Sequence, residues 1–76
     1  MALINKITHQ ALERDSLHTE VECTYDIVTD NSGKKYLQLD TYGSAARKMP
    51  GKKSQNIRLS PEAIKHIKEI LKNNNM

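Results

Sequence analysis

The sequence predicts an α+β fold: a small twisted antiparallel sheet of three to four strands followed by a C-terminal amphipathic helix. Three observations lead there. Apolar and polar residues alternate in TEVECTYDIVT (Thr19–Thr29) and again in KKYLQLDTYG, and a turn-forming cluster separates the two runs. The last third ends in LSPEAIKHIKEIL, where the spacing changes from two to that of a helix. Alternation with period two marks a strand with one face toward a core, and an i, i+3, i+4 stripe marks a helix that buries one side.

Taken in order, the first clear strand carries Val21, Cys23, Tyr25 and Ile27 on one side and Glu20, Glu22, Thr24 and Asp26 on the other. It is expected to be half-buried, with Tyr25 in the core and Cys23 a buried structural thiol. Asp30, Asn31, Ser32 and Gly33 tolerate turn conformations and predict a hairpin. The returning strand sets Leu37, Leu39 and Thr41 against Tyr36, Gln38, Asp40 and Tyr42. A loop around Pro50-Gly51 follows, and a third strand starts at about Lys53, with Ile57 and Leu59 alternating with Asn56 and Arg58. Ser60 is a natural N-cap, Pro61 suits the first helical position, and Glu62 complements the helix dipole. Ala63, Ile64, Ile67, Ile70 and Leu71 form the apolar stripe, with Lys65, His66, Lys68, Glu69 and Lys72 opposite.

One domain, residues 1–76, is therefore expected, with strands within 18–59 and the helix within 60–73. Residues 1–17 stay open: Ile4, Ile7, Ala11 and Leu12 fit a short amphipathic helix, while Ile7 and Thr8 also suit a strand. Either form would cover the sheet or reach a second subunit. A chain of 76 residues buries only roughly 60% of its unfolded surface, and one helix on three strands leaves open edges, so a homodimer is expected.

Charge divides along the chain. Residues 1–30 hold two basic and six acidic residues, net −4, whereas residues 31–58 hold seven basic residues against Asp40, net +6. Around Pro50-Gly51 lie Arg47, Lys48, Lys52 and Lys53. A central basic block is the footprint of a polyanion binder, and also of a solvated surface. Single-stranded nucleic acid needs cations that follow phosphates and flat rings on which bases stack. Lys34, Lys35, Arg47, Lys48, Lys52, Lys53 and Arg58 are candidates for the first role, and Tyr36 and Tyr42 for the second. Gln38 shares the tyrosine side and can bond a base edge. Asp40 fits least well there and requires a neighbouring cation or a base.

Catalysis has little to stand on. Glu20 and Glu22 read as a solvated strand face, His66 as a surface residue, and no cofactor, metal-ligand spacing or phosphate loop is indicated. No stretch has the length of a membrane span or the apolar core of a signal peptide, and the lone cysteine points to a reducing, cytoplasmic setting.

YLQLDTYG, the Pro-Gly-Lys-Lys turn and NIRLSPEAIKHIKEIL together resemble the C-terminal domain of the transcriptional positive-cofactor-four coactivators and their bacterial relatives, over roughly residues 35–72. The resemblance implies a homodimer of twisted antiparallel sheets backed by helices, binding single-stranded DNA with little sequence preference along the sheet. By position, Lys52 and Lys53 match that family's basic pair and Tyr42 the tyrosine before it; Ile64 stands where its helix usually has tryptophan. The expectation is thus a single-stranded nucleic-acid-binding protein, DNA before RNA, acting in transcription or DNA metabolism. The alternative is a small protein-interaction module or inhibitor that contacts a protein partner. Binding to oligonucleotides separates the two.

Overall fold

A computed structural model describes residues 1–42 and 53–76, with Lys53 and Ser54 described by backbone alone. It shows an α+β arrangement: β1 (Ala2–Ile4), β2 (Cys23–Thr29), β3 (Lys35–Tyr42), β4 (Lys53–Leu59) and α1 (Pro61–Asn73). The spatial order is β1-β4-β3-β2. β2, β3 and β4 pair antiparallel as expected, while β1 pairs parallel to β4 and makes the sheet mixed. The N-terminal segment thus supplies a short strand, and its connection to β2 contains no regular element.

The hairpin between β2 and β3 closes on Asp30. Its backbone N–H donates to Lys34 O at 3.0 Å and its carbonyl accepts the Gly33 N–H at 3.1 Å. Gly33 has φ 87°, a left-handed conformation that costs a residue without Cβ little. The Asp30 side chain also accepts from the Ser32 N–H and hydroxyl and from the Lys34 N–H. Bonding to Ser32, above all through its hydroxyl, and to Lys34 favours the carboxylate and lowers its pKa below the ordinary 3.8.

At the far end of β4, Ser60 acts as the predicted N-cap, its Oγ accepting the Ala63 N–H at 3.2 Å. The Ser60 N–H donates to Ile4 O at 3.0 Å, which joins the cap to β1. Glu62 in the first turn has a lowered pKa, chiefly from a hydrogen bond to its own backbone N–H, with Ser60 and the Lys34 charge adding to it.

The registers sort the side chains into two faces, because residues paired across strands share a side. Tyr25, Leu39, Ile57 and Ala2 form one row, and Ile27, Leu37, Leu59 and Ile4 the next. On the other face lie Thr24, Asp26 and Val28, then Tyr36, Gln38 and Asp40, then Asn56 and Arg58, and Leu3. The helix touches β3 and β4. Among the described residues, Leu59 at 7% exposure and Ala63 at 1% are the buried hydrophobic ones; Leu37, Leu39, Ile57, Ile64 and Ile67 are half-buried.

Two expectations about β2 are corrected here. Tyr25 is 73% and Ile27 51% exposed, and Cys23 is an exposed free thiol. The alternation placed these residues on the apolar side correctly, but β2 is an edge strand and the helix lies chiefly against β3 and β4, so that side stays largely exposed there. The strand also begins at Cys23 instead of Thr19, which leaves Val21 exposed ahead of it.

Candidate nucleic-acid interface

The polar face of β3 and β4 holds the greater part of the described candidate site. Tyr36, Gln38 and Tyr42 recur on that side with period two, as predicted, and are half-buried. Tyr36 is paired with half-buried Val28 on β2, and its hydroxyl donates to Asp30 Oδ2 at 3.2 Å. The Tyr42 hydroxyl shares a hydrogen bond of 3.1 Å with Thr24 Oγ1. Both phenol groups are therefore tethered at their oxygen, with part of each side chain open to solvent. A ring held this way offers a fixed surface for stacking.

Between the tyrosines runs a chain of three side chains. Arg58 donates to Gln38 Oε1 through Nε at 3.1 Å and Nη2 at 2.6 Å. Gln38 Nε2 then donates to Asp40 Oδ1 at 3.2 Å. The order follows from the register, since Gln38 lies opposite Arg58 and Asp40 opposite Asn56. Asp40 is only 8% exposed. The residue that fits a phosphate-binding surface least well is thus withdrawn from it, and Arg58 meets it through the Gln38 amide.

The expected cations separate. Lys35 is exposed on β3 but has the parity of Leu37 and Leu39, so it falls on the opposite side from Tyr36. Lys34 precedes the strand, exposed, near enough to Glu62 to stabilise its charge. Lys53 is the register partner of Tyr42 at a β-bulge. Arg47, Lys48 and Lys52 lie outside the described residues, in the connection that leaves β3 at Tyr42 and returns at Lys53. That connection starts and ends at one end of the polar face, beside Tyr42.

Some contributors were not singled out from sequence. Asn56 lies two residues before Arg58 and shares its side, a relation the alternation already contained. Leu3 comes from β1, whose pairing with β4 no local pattern signals. Among the described residues no group of His, Cys, Asp or Glu is placed to hold a metal ion, and no helix is long and apolar enough to cross a membrane. The chain matches no family model, and neither a curated protein nor a solved structure matches it.

Proposed function

We propose that this is a single-stranded nucleic-acid-binding protein, DNA before RNA, largely tolerant of sequence, and a binding protein instead of an enzyme. The observation that carries the reading is the polar face itself: two tethered tyrosines flanking Gln38 and Arg58, at whose Tyr42 end a connection rich in cations begins and ends. Bases stack on the rings and the phosphates follow the cations, the division of labour such binding requires. Transcription or DNA metabolism in a reducing cytoplasm is the setting that fits, in keeping with a single exposed thiol.

The homodimer belongs to the same proposal and has its own support. The chain exposes 7079 Å², against roughly 4,700 Å² for a compact chain of its length. Its radius of gyration is 14.9 Å, where a compact domain has about 11 Å. An excess of roughly 2,300 Å² is what a partner in an obligate interface covers. Val21, Tyr25, Ile27, Ile70 and Leu71 are exposed large hydrophobic residues on β2, just ahead of it, or near the end of α1. A second copy seated there completes the core that one helix leaves thin. The same exposed residues favour the second reading, a protein-interaction module whose partner is a different chain.

Fluorescence anisotropy with a labelled mixed-sequence oligonucleotide, single-stranded and duplex, at several salt concentrations tests the function. Six neutralised phosphates give a slope of roughly −4, about a 300-fold loss between 50 and 200 mM salt. Lys52→Ala with Lys53→Ala lowers that slope and weakens all sequences alike; Tyr42→Ala weakens binding with little change in slope. An absence of binding at low salt removes the proposal and leaves the protein-interaction module.

A further inference from the structure

β3 pairs with one side of β2, and among the described residues no strand pairs with the other. In an antiparallel ladder every second residue pair exchanges backbone hydrogen bonds. The Tyr42 N–H donates to Glu22 O and the Asp30 N–H to Lys34 O, both at 3.0 Å, so the even-numbered residues of β2 turn their backbone groups toward β3. Cys23, Tyr25, Ile27 and Thr29 therefore turn theirs outward. The Ile27 N–H shows what that edge does without a partner strand: it donates to Oδ1 of the preceding Asp26 at 2.7 Å.

Such an edge is a template for another strand. β2 offers seven residues with no proline, no lysine and no bulge in its pairing with β3, whereas β1 at the opposite edge has three. The strand that fits β2 is β2 itself. A two-fold contact between copies sets outward residues opposite outward residues, and its centre falls on one residue of the strand. Like charges directly opposite destabilise a ladder, which makes the acidic residues selective. Centring on Asp26 sets it against the partner's Asp26, centring on Thr24 sets Glu22 there, and centring on Cys23 sets Glu20 there. Centring on Ile27 runs Cys23 against the partner's Asn31, inside the closed hairpin turn.

Tyr25 as the centre meets neither obstacle. It lies opposite the partner's Tyr25, with Cys23 opposite the partner's Ile27 and Thr24 opposite the partner's Asp26. The aromatic and apolar pairs cover side chains that stand exposed in one copy. Thr24 Oγ1 shares its hydrogen bond with the Tyr42 hydroxyl; with the phenol as donor, the threonine hydroxyl donates to the partner's Asp26. Each Ile27 N–H then passes from Asp26 to the carbonyl of the partner's Cys23. Val21, exposed ahead of β2, comes opposite the partner's Thr29, which restores to the ladder residues that the alternation from Thr19 assigned to a strand.

Resting on the homodimer proposed above, we infer that two copies join edge to edge through β2, antiparallel and centred on Tyr25. The two four-stranded sheets become one continuous sheet. The polar face of one copy then runs into that of the other, because residues paired across strands share a side.

Light scattering finds the concentration at which the unaltered protein is a dimer, and amide exchange is read there. The Cys23 and Tyr25 amides are expected to be protected to a degree comparable with Thr24 and Asp26, whose amides the β3 ladder shields. Mild oxidation reads the register. With Ile27→Cys the new thiol faces the partner's Cys23 and a covalent dimer forms; with Cys23→Ser added, the remaining thiols lie about 14 Å apart and it does not. Tyr25→Cys with Cys23→Ser faces its own copy and cross-links, an independent reading of the same register should the first variant not fold. A dimer whose Cys23 and Tyr25 amides exchange at unprotected rates overturns the edge pairing and leaves the homodimer standing. Cross-linking of Ile27→Cys that is equally efficient without Cys23 overturns the register. A protein that stays monomeric at the concentrations used for exchange overturns both the edge pairing and the homodimer.

Discussion

β2 and β4 flank the same central strand, and their apolar residues line up across it: Tyr25 with Leu39 and Ile57, Ile27 with Leu37 and Leu59. Both have the alternation of a half-buried strand, yet Leu59 is buried while Tyr25 is open to solvent. The difference comes from connectivity. Only the cap residue Ser60 separates the end of β4 from the start of α1 at Pro61, so the helix lies against β4 and β3. β2 ends in a hairpin turn, and its Tyr25 and Ile27 stay exposed. Alternation reports which side of a strand is apolar, and the neighbouring element decides whether that side is buried.

The widest separation between the strands is expected from truncation on this shared face. Leu59→Ala should cost about 2–5 kcal/mol, a large part of the stability of so small a domain, read as the shift in urea midpoint by circular dichroism. If it proves as mild as a surface change, β4 is not the centre of the core. Ile27 sharpens the contrast from the other side: if the protein forms the proposed dimer, Ile27→Asp should leave the helix signal intact at low protein concentration but yield a monomer by light scattering. A dimer that persists would move the subunit contact away from β2.

The strand ends give the smaller effects. Ser60→Ala removes the acceptor for the Ala63 N–H and should cost about 1 kcal/mol, seen as faster amide exchange in the first turn of α1. At the β2 end the sensitive quantity is pH. Asp30 has a lower pKa folded than unfolded, so its contribution is complete above the ordinary carboxylate value and is lost as pH falls through the folded one. The protection of the Ser32 and Lys34 amides, measured against their intrinsic exchange rates, should therefore fall on acidification below about 4, and Asp30→Asn should remove that dependence. Exchange that tracks global unfolding instead would show that the turn does not open independently.

The polar side of β3 was legible to the residue: period two alone grouped Tyr36, Gln38, Asp40 and Tyr42. Asn56 and Arg58 were legible in the same way on their own strand. What could not be read was which groups meet. Asp40 was expected to need a neighbouring cation or a base, and Gln38 links it to Arg58, a connection fixed by a register that brings together residues 20 apart. Lys34 and Lys35 belong to the basic block by composition, but parity and position carry them away from the tyrosines.

The sequence by itself determined β2, β3, β4 and α1 as elements, because strand alternation, the Asp30–Gly33 turn and the Ser60 cap depend on neighbours a few residues away. The tertiary structure alone decided that β1 joins β4 in parallel, that β2 stays at an uncovered edge, and that Arg58 is held by Gln38. Each of those follows from pairing between distant segments, whose free energy resides in long-range burial and hydrogen bonding and leaves no local pattern in the chain.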